Sequence, residues 1–330
     1  MKTRNILKGS TSLLMMLIGL SVYSQTSCAY ITNFNDTTVS AINLTTLAKV
    51  ADITTGKNPH GVDVNPNGKW VAVSNEGSNT VSVIDAVSNK VIKTISIGSH
   101  PHQLAFSKDG KKLFVTINFD NALTVIDATN WEIDTTIVVG RNPHIVKPSP
   151  DGKQAYITLE GDEKVVILDL STLKITGEIP VFGWPRIPDI TNDGKKLYLS
   201  LRWLNGALVI DTEKKQAINW VQLPQNEKFP SDGKASHGIA LSADGSLLYI
   251  TCQVRNSVSI IDTKTLLAIK EIIVGTDPNW IDFTADGKYG VVSNTGSNDA
   301  SIIDLQKMQV VKTLPVGKAP KRLKVATINN

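Results

Sequence analysis

The sequence predicts an all-β fold, a seven-bladed β-propeller of four-stranded antiparallel blades whose ring is closed by N- and C-terminal strands sharing one blade. Three observations carry this. A proline phrase returns at steps of 42, 42, 42, 51, 42 and 42 residues, a period near that of a four-stranded blade. Each period contains four short runs rich in Val, Ile and Thr, separated by Gly, Asn and Asp. The repeat starts and stops partway through a period, so two half-blades remain to be joined.

The phrase reads NPHGVDVNPNG from Asn58, HPHQLAFSKDG from His100 and NPHIVKPSPDG from Asn142. Weaker copies begin at Trp184, Ala235, Asp277 and Ala319. The slot after the proline, or after Ser236 in the fifth copy, holds His60, His102, His144, Arg186, His237, Asn279 and Lys321. In the first full period GVDV leads to a turn at Pro66-Asn67-Gly68, WVAVSN to a loop at residues 76–79, TVSVID to a turn after Asp85, and KVIKTISIG to the next proline. The glycines at 68, 110, 152, 194, 245 and 287 share one turn position, where a positive φ is expected. The aspartates at 85, 127, 169, 211, 262 and 304 recur in register and read as turn stabilisers. YITN at 30–33 fills a second-strand position with no first strand before it, and KRLKVATI at 321–328 fills a first-strand position with nothing after it. One domain over residues 30–330 follows.

Residues 1–29 read as a secretory signal. Lys2, Arg4 and Lys8 precede the apolar run LLMMLIGLSV, which is too short for a membrane span of ~20 residues, and Ser24, Ser27 and Ala29 offer small residues for cleavage after Ser24 or Ala29. A periplasmic, surface or secreted location is expected; a lipid on Cys28 is a less favoured alternative, because Gln25 suits that processing poorly. Losing the three basic residues takes the net charge from +4 to +1, which disfavours a nucleic-acid partner. Cys252 then remains alone, inside an apolar strand, where a buried inert thiol is expected. A monomer without internal disulfides is the expectation for a chain large enough to bury an adequate core.

Strand order places the slot residues and the second-to-third-strand loops on one face, at the top of the central channel. Two sectors of that face carry chemistry. His60, His100, His102 and His144 gather over three adjacent blades, and three or four neutral imidazoles suit copper or zinc, with Glu76 or Glu160 to orient them. The competing reading is that duplication copied a rim motif whose imidazoles bond to nearby backbone. Trp184, Arg186, Arg202, Trp203, Phe229, His237 and Arg255 form the second sector, suited to a planar or anionic small molecule through stacking and bidentate contacts. There the competing reading has the tryptophans packed between blades and the arginines paired locally. Trp70, Trp131 and Trp220 read as packing residues. A partner protein could also use this loop-decorated face.

YITN at 30–33, AVSN at 72–75 and VVSN at 291–294, with TVSVID at 80–85 and SVSIID at 257–262, resemble the YVTN-repeat family of exported seven-bladed propellers. That resemblance implies a non-catalytic binding protein. The run at residues 58–85 is also similar to propeller lactonases, which implies a lactonase, isomerase or lyase with Glu76 as base, His60 or His102 as proton carrier, and Arg186 or Arg202 as anion clamp. Single-stranded DNA binding, implied by other similar propellers, is disfavoured by the near-neutral charge.

Overall fold

In a computed structural model describing residues 25–224 and 235–329, the chain forms seven four-stranded antiparallel sheets arranged as a closed ring. Six blades are continuous, over residues 59–96, 101–138, 143–180, 185–222, 236–273 and 278–315. The seventh combines Pro320–Asn329 as its innermost strand with Gln25–Asn33, Thr38–Asn43 and Ala48–Thr54. Its junction begins earlier than the sequence suggested, because Gln25 to Ala29 pair with Asn329 to Val325 and extend the strand five residues ahead of Tyr30. Cys28 lies within that strand, half-buried, with burial pushing its thiol up to about 11.

Both faces of every blade are covered, which explains the near-continuous apolar middle strands. In Trp70–Asn75, Val71 and Val73 point into the layer shared with the closing blade, while Ala72 points into the layer shared with residues 101–138. Burying each such Val stabilises by about 1.5–3 kcal/mol. The outermost strands have one free face, and Trp220 stands exposed on one of them, so it is not the packing residue expected. Trp70 and Trp131 do pack, edge to face at 6.1 Å. Cys252 is fully buried, with its thiol raised by burial.

The recurring turn residues behave as their types require. The six turn glycines have φ between +67° and +74°. Asp85, Asp127, Asp169, Asp211, Asp262 and Asp304 each accept a backbone N–H two or three residues on. The hydroxyl of the YITN-like motif has a larger role, since it joins neighbouring blades. Ser74 Oγ accepts the Gly61 N–H of its own blade and donates to the His102 carbonyl of the next. Thr32, Thr116, Thr158, Thr251 and Ser293 make the same inter-blade bond to the carbonyls of His60, His144, Arg186, Asn279 and Lys321. Ser200 is the exception; its hydroxyl stays within its own blade at the 51-residue step. Six of the seven slot residues, all but His237, are thus fixed by their own main chain before any side-chain contact is made.

Lower in the channel, Asp63, Asp189 and Asp282 each accept an N–H from the next innermost strand, at Phe106, Leu241 and Val325. They line a cavity of about 390 Å³ together with Lys147 and Lys324. No helix among the described residues is long and apolar enough to cross a membrane.

Candidate functional site

Each innermost strand carries a register shift at its slot, as between Pro59 and Val62, or Pro101 and Leu104. A bulge of this kind re-aims side chains, and here it turns the slot residues into the channel mouth. The residue before each proline is held in the left-handed region, even at His100 (φ 61°) and Trp184 (φ 59°). In several copies an Asn one hairpin earlier fastens it: Asn79 Oδ1 accepts from His100 N, and Asn121 Oδ1 from Asn142 N.

The histidine sector converges. The rings of His60 and His102 lie 4.0 Å apart between centroids, and those of His102 and His144 4.2 Å apart. Glu76, on a short 3-10 turn, reaches beneath them: Oε1 is 3.5 Å from His60 Nδ1 and 3.5 Å from His102 Nε2, and Oε2 is 3.3 Å from His100 Nε2. His60 Nδ1, Glu76 Oε1 and His102 Nε2 all lie within 4.8 Å of one another. Two of these atoms, His60 Nδ1 and Glu76 Oε1, are buried without a hydrogen-bond partner. His102 donates Nδ1–H to the His144 carbonyl at 3.0 Å, which leaves its Nε2 lone pair facing the cluster. His100 is part-exposed, stacks on Phe119 at 4.1 Å, and meets the other carboxylate oxygen.

His144 takes a different role from the one its position in the repeat suggested. Its Nε2 lies 3.3 Å from Arg322 Nη2 and 3.7 Å from Glu160 Oε1. Arg322 is a candidate site residue that the repeat pattern did not single out. Lys321, in the slot itself, lies over the Phe34 ring at 3.5 Å, while the next residue enters the centre of the channel and is almost wholly buried. The equivalent positions in the other copies are Gly61, Gln103, Ile145, Ile187, Gly238 and Trp280, so a charged residue where the other six copies are uncharged was the available signal.

The second sector divides. Arg186 Nη1 approaches His237 Nε2 at 3.5 Å and its Nε lies 3.6 Å from Glu160, so these two face the channel. Arg202 lies between the Trp184 and Trp203 rings, at 4.9 and 5.6 Å, on the outer rim. Arg255 turns away and pairs with Glu271 of its own blade, Nε to Oε1 at 2.5 Å. Phe229 falls outside the described residues.

Burial dominates the electrostatics. It holds His60, His102, His144 and His237 well below the ordinary 6.5, so all four are neutral at physiological pH with lone pairs available. Burial also raises Glu160, and it pushes Glu76 up to about 7 against the opposing pull of Lys321 and Arg322. The Arg322 guanidinium is pushed down to about 9 by burial and by Arg186, which leaves it charged at neutral pH.

A closed ring of seven blades with a polar, histidine- and arginine-lined mouth defines a propeller whose buried histidines gather at one end of the channel. The sequence comparison names the family: residues 7–138 and 221–329 match the YNCE-like beta-propeller family, and the chain belongs to it. No curated protein matches the chain. Among solved structures it is similar to Kuenenia stuttgartiensis hydrazine synthase (22% identity, TM-score 0.73, covering 87% of this chain and 98% of that one). It is also similar to the periplasmic gluconolactonase PpgL of Pseudomonas aeruginosa (19% identity, TM-score 0.75, covering 92% and 99%). A functionally unknown protein from Desulfotomaculum acetoxidans shares the architecture too (13% identity, TM-score 0.78, covering 91% and 98%). At these identities the likeness is one of fold.

Proposed function

We propose that this protein is an exported binding protein that takes a transition-metal ion, zinc or copper, at its channel mouth on His60 Nδ1, Glu76 Oε1 and His102 Nε2. The observation that carries the reading is the convergence of these three atoms within 4.8 Å, two of them buried with no hydrogen-bond partner. The donor set fits such an ion. Two ligands at 2.0–2.1 Å from a tetrahedral centre stand roughly 3.3 Å apart, close to the 3.5 Å from Glu76 Oε1 to each imidazole nitrogen. The His144 carbonyl fixes the tautomer of His102, and His100 orients the free oxygen of Glu76, the outer partners such sites use. Three protein ligands leave a fourth position for a small molecule. Export is supported by the basic-then-apolar N-terminus and by the periplasmic propeller that shares the fold.

Elemental analysis and calorimetric zinc titration of the exported protein test this. One equivalent is expected, lost in His60→Ala/His102→Ala and retained in His237→Ala. Zinc binding that survives the double substitution would sink the reading.

A second reading, a lactonase, isomerase or lyase, draws on Glu76. A carboxyl near 7 beside neutral imidazoles suits a general base, and Arg186 suits an anion clamp. Turnover of a lactone panel abolished by Glu76→Gln would favour it, whereas metal uptake with no turnover favours binding alone.

A further inference from the structure

We propose that the centre of the channel beside the histidine cluster is a separate site for one small oxyanion, a carboxylate or a phosphate, centred on Arg322 with Arg186 as second donor. The first ground is missing charge. Arg322 is 1% exposed, yet among the described residues no carboxylate lies within ion-pair distance of it, and Glu76 and Glu160 act on its charge only from farther away. A fully buried guanidinium with no carboxylate in contact is costly, and arginine does not escape that cost by losing its proton.

The second ground is a count of donors. The guanidinium has five N–H groups. Nη1 donates to Asn279 Oδ1 at 3.3 Å and Nη2 to His144 Nε2 at 3.3 Å. The 3.5 Å approach to His237 Nδ1 is not a third bond, because that nitrogen gives its own proton to the Asn279 carbonyl at 2.8 Å. Nε is buried with no hydrogen-bond partner, and so is Nε of Arg186, which faces Glu160 Oε1 at 3.6 Å. Two guanidinium groups therefore carry unused donors on either side of His237, which contacts both.

The third ground is shape. The Arg322 guanidinium carbon lies over the Trp280 ring at 4.4 Å, and its unused N–H donors lie along the edge of the group. An edge-on guanidinium matches two oxygens of one carboxylate or phosphate in a bidentate fork. His144 and His237 both approach the guanidinium, at 3.3 and 3.5 Å. The proposal does not depend on whether the histidine cluster holds a metal, and it differs from the outer Trp184–Arg202–Trp203 rim, whose cation is already sandwiched.

The test uses the mature chain, dialysed free of metal, in low-chloride buffer. Malonate, inorganic phosphate and the neutral analogue malonamide are titrated calorimetrically, with melting temperature as a second readout. Saturable binding of malonate or phosphate is expected and none of malonamide; whichever anion saturates at lower concentration assigns the source. Arg322→Met should weaken binding by roughly thirtyfold or more, and Arg186→Gln should also weaken it. Replacing a buried unpaired charge by an apolar side chain is commonly neutral or stabilising. In anion-free buffer Arg322→Met should therefore melt no lower than the wild type, and malonate or phosphate should raise the melting temperature of the wild type alone. Saturation by neither anion overturns the proposal, as does unchanged affinity in Arg322→Met. An Arg322→Met protein that melts well below the wild type without anion, beside a wild type that no anion stabilises, makes Arg322 a structural strut and overturns it as well.

Discussion

Glu76→Gln offers a quantitative test of the site's electrostatics. The carboxyl is buried beneath three imidazoles, and burial raises it from 4.5 to about 7. The folded state therefore holds its proton over a range where the unfolded chain has released it. Stability contributed by this group is intact below the unfolded value near 4.5 and falls as pH rises toward the folded value near 7. At about 1.4 kcal/mol per unit, a shift of two to three units costs about 3 kcal/mol above neutrality. Glutamine keeps the shape and cannot ionise, so the variant escapes this penalty. Urea unfolding of metal-free wild type and variant at about pH 5 and about pH 8 isolates it, because titrations common to both proteins cancel. The variant should gain on the wild type by roughly 2–3 kcal/mol between those two values. A stability difference that does not change with pH would refute the argument. With zinc present the sign should reverse at about pH 8, where the ionised carboxylate becomes a ligand and binding stabilises only the wild type.

Two further predictions concern the scaffold. Thr116→Val should lower stability by about 1–3 kcal/mol, since its hydroxyl accepts the Gln103 N–H and donates to the His144 carbonyl in a buried layer; an unchanged urea midpoint would argue against hydroxyls joining the blades. N-terminal sequencing of the exported protein should return Gln25, because cleavage after Ser24 leaves the closing strand whole, whereas cleavage after Ala29 removes five of its nine residues. A mature N-terminus at Tyr30 would contradict that.

The ring, the phase of each strand and the shared seventh blade were legible because they follow from short-range chemistry repeated seven times. Alternating Val and Ile, a turn Gly with positive φ, and an Asp that caps its own turn need no distant partner to be interpreted. The approach of His60 to His102 was legible as well, because neighbouring copies of one phrase occupy neighbouring blades, whereas Glu76, expected only to orient the imidazoles, joins them in one cluster. Other residues were opaque for definite reasons. Arg255 and Arg186 look alike in sequence, yet Glu271 stands within reach of Arg255, on an outer strand of the same blade. Trp220 was read as packing, but its strand has one face open to solvent.

The sequence by itself determined the period, the blade and the face on which the chemistry gathers, because each is encoded within about 42 residues and then copied. Only the tertiary structure decided which copies act together. His144 meets Arg322 from 178 residues away, and Arg322 meets His237 from 85. No local pattern holds such contacts, since they arise where closure of the ring and a bulge beside each proline bring opposite strands to one axis. There burial gives a single guanidinium with no carboxylate in contact its weight.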